Sequence, residues 1–264
     1  MTVWRDVLAI ALTAIPIADT AAETPARTLP LDALRSGITF AGADVQAMQR
    51  DDFANPAMLW VDRGRKLWSE KPATAAPSCA NCHDDAEPSM RGVATRYPAY
   101  SADAKRVVDL ETRIEGCRVA RQKLPPLAHE AEDLLALTTY VAYASRGLPV
   151  KVAIDGPARA AFERGRQFYA TRHGQMNLSC AQCHEQNAGK QLFGETISQG
   201  HGTAFPAYRL EWQMVGSLAR RIRACLFGIR AEMPPAEAPE LAEVALYLAW
   251  RAEGLSLEVP GVRR

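Results

Sequence analysis

Surplus charge of either sign is nearly absent from this sequence: 31 lysines and arginines against 30 aspartates and glutamates leave a formal net charge of +1. Such a balance gives no basis for a nucleic-acid footprint or a polybasic membrane-binding face, so any charged substrate has to be recognised locally. Long apolar runs are missing too. After Ile17 no stretch approaches the roughly 18 residues of a membrane helix, which predicts no membrane span. Nor is there a bias towards disorder, since 48% hydrophobic and 23% charged residues are ordinary for a globular protein. The 264 residues suffice for one large domain or for two of roughly 100 residues each.

The first residues break that pattern. Arg5 precedes an apolar run from Val7 to Ile17, and small residues follow through Ala21 and Ala22. This is the order of a secretory signal peptide, which we place at residues 1–22, although Asp6 is unusual in its basic region. Export predicts a periplasmic location, the compartment in which c-type haem is attached.

Cysteine is scarce, and four of the six fall into one motif written twice: Cys79-Ala-Asn-Cys82-His83 and Cys180-Ala-Gln-Cys183-His184. Covalent haem attachment requires two thiols in reach of the two vinyl groups, followed at once by an imidazole facing the iron. Zinc would pair C-x-x-C with two further Cys or His ligands, and a redox dithiol would sit in a βαβ setting without the histidine. The motifs therefore predict two covalently bound c-type haems, held by Cys79, Cys82, Cys180 and Cys183, with His83 and His184 as proximal iron ligands.

The motifs belong to a longer repeat. Cys180 follows Cys79 by 101 residues, and the same offset lays Arg63-Gly64-Arg65 on Arg164-Gly165-Arg166. Beyond a seven-residue insertion, Tyr97-Pro98-Ala99-Tyr100 meets Phe205-Pro206-Ala207-Tyr208 at offset 108, and Arg113, Ile114 and Cys117 meet Arg221, Ile222 and Cys225. Helical stripes such as Leu134, Leu137, Val141 and Leu241, Val244, Leu248 close the copies. A period this long means two related domains, not a solenoid. The expected fold is mainly α: two tandem cytochrome c-like domains, 23–150 and 151–264, each with one covalently attached haem. Gly64 and Gly165, set among bulky apolar residues, predict close helix crossings, with Tyr140 or Tyr247 as contacts.

Cys117 and Cys225 need an explanation. A six-coordinate haem takes Met, His or Cys on its second face. Met233 stands where an ordinary c-type cytochrome has its methionine, but its counterpart is Leu124; His129, His173 and His201 lack counterparts as well. Cys117 and Cys225 recur after both motifs, so both are expected as axial thiolates, which stabilise ferric iron and lower its potential. Inert core cysteines, a disulfide joining the two, and Met233 at the second haem remain as alternatives. Arg221 lies four residues before Cys225, on the same face if the segment is helical, where a guanidinium can hold an oxyanion through two parallel hydrogen bonds. A propionate partner or a solvated charge is its plainer reading. Arg113 precedes Cys117 in the same way, so the residues alone choose neither pocket.

With both C-x-x-C-H sites, the two downstream cysteines and the segment RRIRACL at Arg220 to Leu226, the sequence resembles the SoxA family, the dihaem subunits of the SoxAX cytochromes of thiosulfate oxidation. The resemblance spans nearly all of the chain after the signal. It implies an L-cysteine S-thiosulfotransferase that oxidatively couples thiosulfate to a cysteine of a SoxY-type carrier protein. It also implies a SoxX-like mono-haem partner subunit and a downstream electron-accepting cytochrome. Carried onto the matching positions, it makes Cys225 the catalytic residue, able to bear an extra sulfur as a persulfide, and Arg221 the substrate-binding residue. The rival class is a low-potential dihaem electron-transfer cytochrome without substrate chemistry. A dihaem peroxidase is a weaker reading, because it needs an open iron site.

Overall fold

The computed structural model describes residues 29–264 apart from Ala73 and Ala75; the expected signal peptide lies outside the described residues. The duplication is visible element by element. In the first copy, helix α2 (Met58–Ser69) follows a short leading helix α1 (Ala43–Arg50). It is succeeded by α3 (Ala80–His83), α4 (Ala86–Ser89), the hairpin β1 (Ala99–Ser101) and β2 (Arg106–Val108), then α5 (Leu110–Ala120) and α6 (Glu132–Tyr143). The second copy runs α7 (Arg159–Ala170), α8 (Cys180–His184), the small hairpin β3 (Gln191–Leu192) and β4 (Glu195–Thr196), and the hairpin β5 (Ala207–Arg209) and β6 (Met214–Gly216). Helices α9 (Leu218–Gly228) and α10 (Pro239–Arg251) and strand β7 (Gly261–Arg263) complete it. No helix among the described residues is long and apolar enough to cross a membrane.

Each copy is built on one helix crossing, α2 on α6 and α7 on α10. The two predicted glycines make these crossings possible. A Cβ at Gly64 would press into the Ala136 carbonyl and lie 2.6 Å from Tyr140 Cβ, while one at Gly165 would overlap the Glu243 carbonyl and sit 3.0 Å from Val244 N. Tyr140 is thus the contact expected in copy one. In copy two, as in copy one, helix backbone is nearest, but Tyr247 is not among the contacts and instead packs on Tyr169 at 5.1 Å between ring centroids. Phe162 and Trp250 meet edge to face at 5.3 Å in the same cluster, and Trp68 and Tyr140 do so at 6.1 Å in copy one. Such pairs each add about 0.5–1.5 kcal/mol beyond the area they bury.

The copies face each other across an approximate two-fold axis. Val150 N donates to Leu255 O and Leu257 N to Leu148 O, so the segments that follow α6 and α10 pair antiparallel. Equivalent residues, Tyr97 with Phe205 and Leu110 with Leu218, line a cavity of about 110 Å³ on the seam. The segment ahead of α2 packs on the second copy, although it precedes the first in sequence. Asn55 Nδ2 donates to Pro260 O at 2.9 Å, Gln49 Oε1 accepts from Val262 N at 3.0 Å, and β7 adds to β5 in parallel.

Candidate functional site

The C-x-x-C-H segments fold as single helical turns because each is capped from the sequence just before it. Ser179 Oγ accepts from Gln182 N, and the Gln182 side chain accepts from Ser179 N, a reciprocal capping box. Ser78 and Asn81 repeat it in copy one, with Ser78 N donating to Asn81 Oδ1 at 2.9 Å and Asn81 N to Ser78 Oγ at 3.2 Å. The turn puts the two thiols of each motif three residues apart on one face and the histidine beside them.

Opposite these turns come α5 and α9, each launched from its hairpin by an N-cap. Asp109 Oδ1 accepts from Thr112 N, and Ser217 Oγ from Arg220 N. Their cysteines arrive where the repeat predicts. Cys117 lies within electrostatic reach of Cys79, and Cys225 within reach of Cys180 and Cys183. All six cysteines are free, so Cys117 and Cys225 are not bridged to each other.

In the second pocket His184 Nδ1 lies 2.8 Å from the Ser198 carbonyl oxygen. A carbonyl only accepts, so Nδ1 carries the proton and Nε2 keeps its lone pair for a metal. The backbone passes so close that a Cβ at Gly200, whose φ is +75°, would stand 2.8 Å from His184 Cγ. The Cys225 thiol hydrogen-bonds the same imidazole. Burial alone would push that thiol up; the His184 hydrogen bond, with Arg221, His184 and Arg209 nearby, outweighs burial and holds it below the ordinary thiol range. Cys180, by contrast, is pushed up to about 12, first by burial and then by Cys225. An imidazole with a fixed tautomer, a thiol drawn towards thiolate and a paired-thiol motif beside them are a donor set that fits a covalently held haem: Cys180 and Cys183 would hold it, and His184 and Cys225 would be its iron donors. In copy one Trp68 packs on His83 at 5.9 Å and donates to Asp84 O at 2.8 Å, and Gln122 Nε2 holds Pro77 O ahead of Cys79. Met233, the alternative ligand, is 43% exposed.

The structure separates the two pockets that the sequence leaves equivalent. Arg113 is exposed, whereas Arg221 is half-buried and acts on Cys225. A further cation joins it: Arg209, the last residue of β5, is buried and faces both Arg221 and Cys225. It has no helical spacing to Cys225. The available signal is the repeat itself, which puts Ser101 at the corresponding place in copy one.

Residues 63–150 match the family model described as "SoxA/TsdA, cytochrome c domain". The chain is 42% identical to the L-cysteine S-thiosulfotransferase subunit SoxA of Pseudaminobacter salicylatoxidans, covering 89% of this chain and 82% of that protein. The chain belongs to the SoxA family. The SoxA subunit of Rhodovulum sulfidophilum is 39% identical over 92% of this chain and 85% of its own length. The crystal structure of SoxXA from P. pantotrophus superposes with a TM-score of 0.83 at 35% identity, covering 87% of this chain and 86% of that one. The mainly helical, cytochrome c-like fold is therefore a SoxA-family fold, and haem is its cofactor.

Proposed function

We propose that this chain is the catalytic dihaem subunit of a periplasmic L-cysteine S-thiosulfotransferase, with one haem in each of two domains, 23–150 and 151–264. The observation that carries the reading is the membership of the SoxA family, and it is supported by Cys225 lying beside His184 with the Arg221 guanidinium near enough to lower its thiol. In the reaction, thiosulfate and the thiol of a SoxY-type carrier join as an S-thiosulfonate: one S–S bond forms, and one proton and two electrons leave. Bound haem supplies the acceptor through which those electrons depart towards a downstream cytochrome.

The residues divide the remaining work. Cys180 and Cys183 hold the second haem covalently, and Cys79 and Cys82 the first. His184 and Cys225 would ligate the iron of the second, and His83 and Cys117 that of the first. Cys225, held towards thiolate by His184 and then by Arg221 and Arg209, meets the sulfur of the substrate, because thiolate character and access govern exchange at sulfur. Arg221 holds the oxyanion. A SoxX-like mono-haem subunit completes the pocket, and exposed Phe227, Met176 and Met233 around the end of α9 give it apolar area to cover.

The test is reconstitution of the haem-loaded chain with the mono-haem subunit and carrier. Cys225→Ala is expected to abolish thiosulfate-dependent electron output. Retained output would return the chain to the pure electron-carrier reading. Mass spectrometry of the unreduced protein should also find the gain of one sulfur atom at Cys225.

A further inference from the structure

We infer that Arg209 is a second substrate-binding guanidinium, forming with Arg221 a two-cation clamp for the sulfonate end of thiosulfate beside Cys225. The inference rests on the function proposed above and extends its substrate site.

Arg209 is hard to explain as a structural residue. Its side chain is 8% exposed, and it ion-pairs with Glu211 at 2.8 Å. Its Nε is buried without a hydrogen-bond partner. Trp212 packs on the guanidiniums of both Arg209 and Arg220, at 5.2 and 4.2 Å, which ties β5 to the start of α9 next to Arg221, and burial, then Arg221, hold the Arg209 pKa below the usual guanidinium range. Glu211 is drawn down in turn by Arg209 and, more weakly, by Arg221, so a single carboxylate faces two cations. A buried unpartnered donor and two like charges in proximity both cost stability, unless an anion completes the arrangement. Thiosulfate is a dianion with three sulfonate oxygens, and two planar guanidiniums can engage them while leaving its sulfane sulfur to Cys225 and the carrier thiol.

The placement is also rigid. Arg209 lies on β5, which pairs antiparallel with β6 at Arg209 to Met214 and in parallel with β7 at Arg209 to Arg263. The Trp212 ring lies 5.2 Å from its guanidinium carbon. A cation fixed by two strands and a ring loses little freedom on meeting its ligand. Copy one has Ser101 at this position, so the clamp belongs to the second pocket alone.

Carboxylates of a haem in the second site could also meet this cation, and the experiment separates the two anions. Radiolabelled thiosulfate is titrated into the haem-loaded protein with its mono-haem partner, and steady-state rates are taken with the carrier. Arg209→Gln should weaken thiosulfate binding and raise KM by about tenfold or more, the loss expected for a charge-assisted hydrogen-bond pair. Arg209→Lys should recover part of the affinity, and haem content and optical spectrum should match the parent in both variants. Unchanged thiosulfate affinity with a shifted spectrum or potential of the second haem would overturn the clamp and assign Arg209 to the cofactor. If Arg209→Gln fails to load haem, Arg209→Lys carries the test, with a raised KM supporting the clamp and parent affinity overturning it. Arg221→Gln and Cys225→Ala run alongside. An effect in these two without one at Arg209 sinks only the clamp, whereas no effect in any of them sinks the proposed function itself.

Discussion

Ser101 and Arg209 hold the same register in the two copies, each the last residue of the first strand of its hairpin, and at this position only the second pocket receives a guanidinium. Arg113 and Arg221 differ in the same sense, the former exposed and the latter half-buried against Cys225. Duplication thus supplied two similar pockets, and these two positions are among those that distinguish them. Arg221→Ala should lower kcat/KM for thiosulfate by about 10- to 100-fold, as expected for losing charge-assisted hydrogen bonds worth about 1.5–3 kcal/mol. Arg113→Ala should leave it near the parent value. Steady-state assays with the partner and carrier proteins check both, and equal losses would mean that the pockets share the chemistry.

The crossings of α2 with α6 and α7 with α10 leave no room for one extra carbon. Gly165→Ala would drive its Cβ into the backbone of α10 at Glu243, and Gly64→Ala into that of α6 at Ala136. Because backbone is less able to yield than a flexible side chain, each should cost about 1–3 kcal/mol or more. Gly116→Ala, in α5 with nothing within 4 Å of the added carbon, should instead stabilise by about 0.5–1 kcal/mol. Urea unfolding of the haem-loaded variants separates the two signs.

These crossings were legible in the sequence because glycine recurs among bulky residues at one fixed offset. Cys117 and Cys225 were legible for the same reason, and the structure turns each towards its own motif. Arg209 was harder to see: it lies on a strand 16 residues before Cys225, and no helical period connects the two. What exposes it is a difference between copies, Ser101 against Arg209, where repeat analysis looks for identities. The packing of the leading segment on the second copy was not legible at all, since Gln49 meets Val262 across 213 residues and neither carries a local signature. The facing of the two copies is similarly a tertiary fact, made by backbone bonds near Val150 and Leu257.

Gly200 sits where the chain turns past the His184 imidazole. Its φ of +75° is a conformation that side-chain-bearing residues adopt reluctantly, and an added Cβ would meet His184 Cγ at 2.8 Å. Gly200→Ala should therefore push the imidazole off its Ser198 hydrogen bond and disturb the second centre while sparing the first. With one haem in each copy, as proposed above, haem content per chain measured by pyridine haemochrome should fall from two towards one, or the spectrum of one centre should change at full content. A variant indistinguishable from the parent in both would show that His184 is not held by this close approach.

Glu111 lies on the seam between the copies, 6% exposed, where its counterpart by the repeat is Ala219. Burial, with Asp109 and Glu130 adding their negative charge, raises its carboxyl well above the ordinary carboxylate range. In the unfolded chain the same group ionises near the ordinary value of about 4.3. Between those two pKa values the folded state holds a proton that the unfolded state has released, so stability falls as pH rises through that window. The neutral isostere Glu111→Gln cannot ionise and escapes this loss. It should melt above the parent at pH 8, by about 2–4 °C for each kcal/mol recovered in a chain of this size, and the gap should close as pH falls towards 4. Thermal unfolding of the two haem-loaded proteins across that range checks the sign, and a gap that widens on acidification would place the ionised form, not the neutral one, in the folded seam.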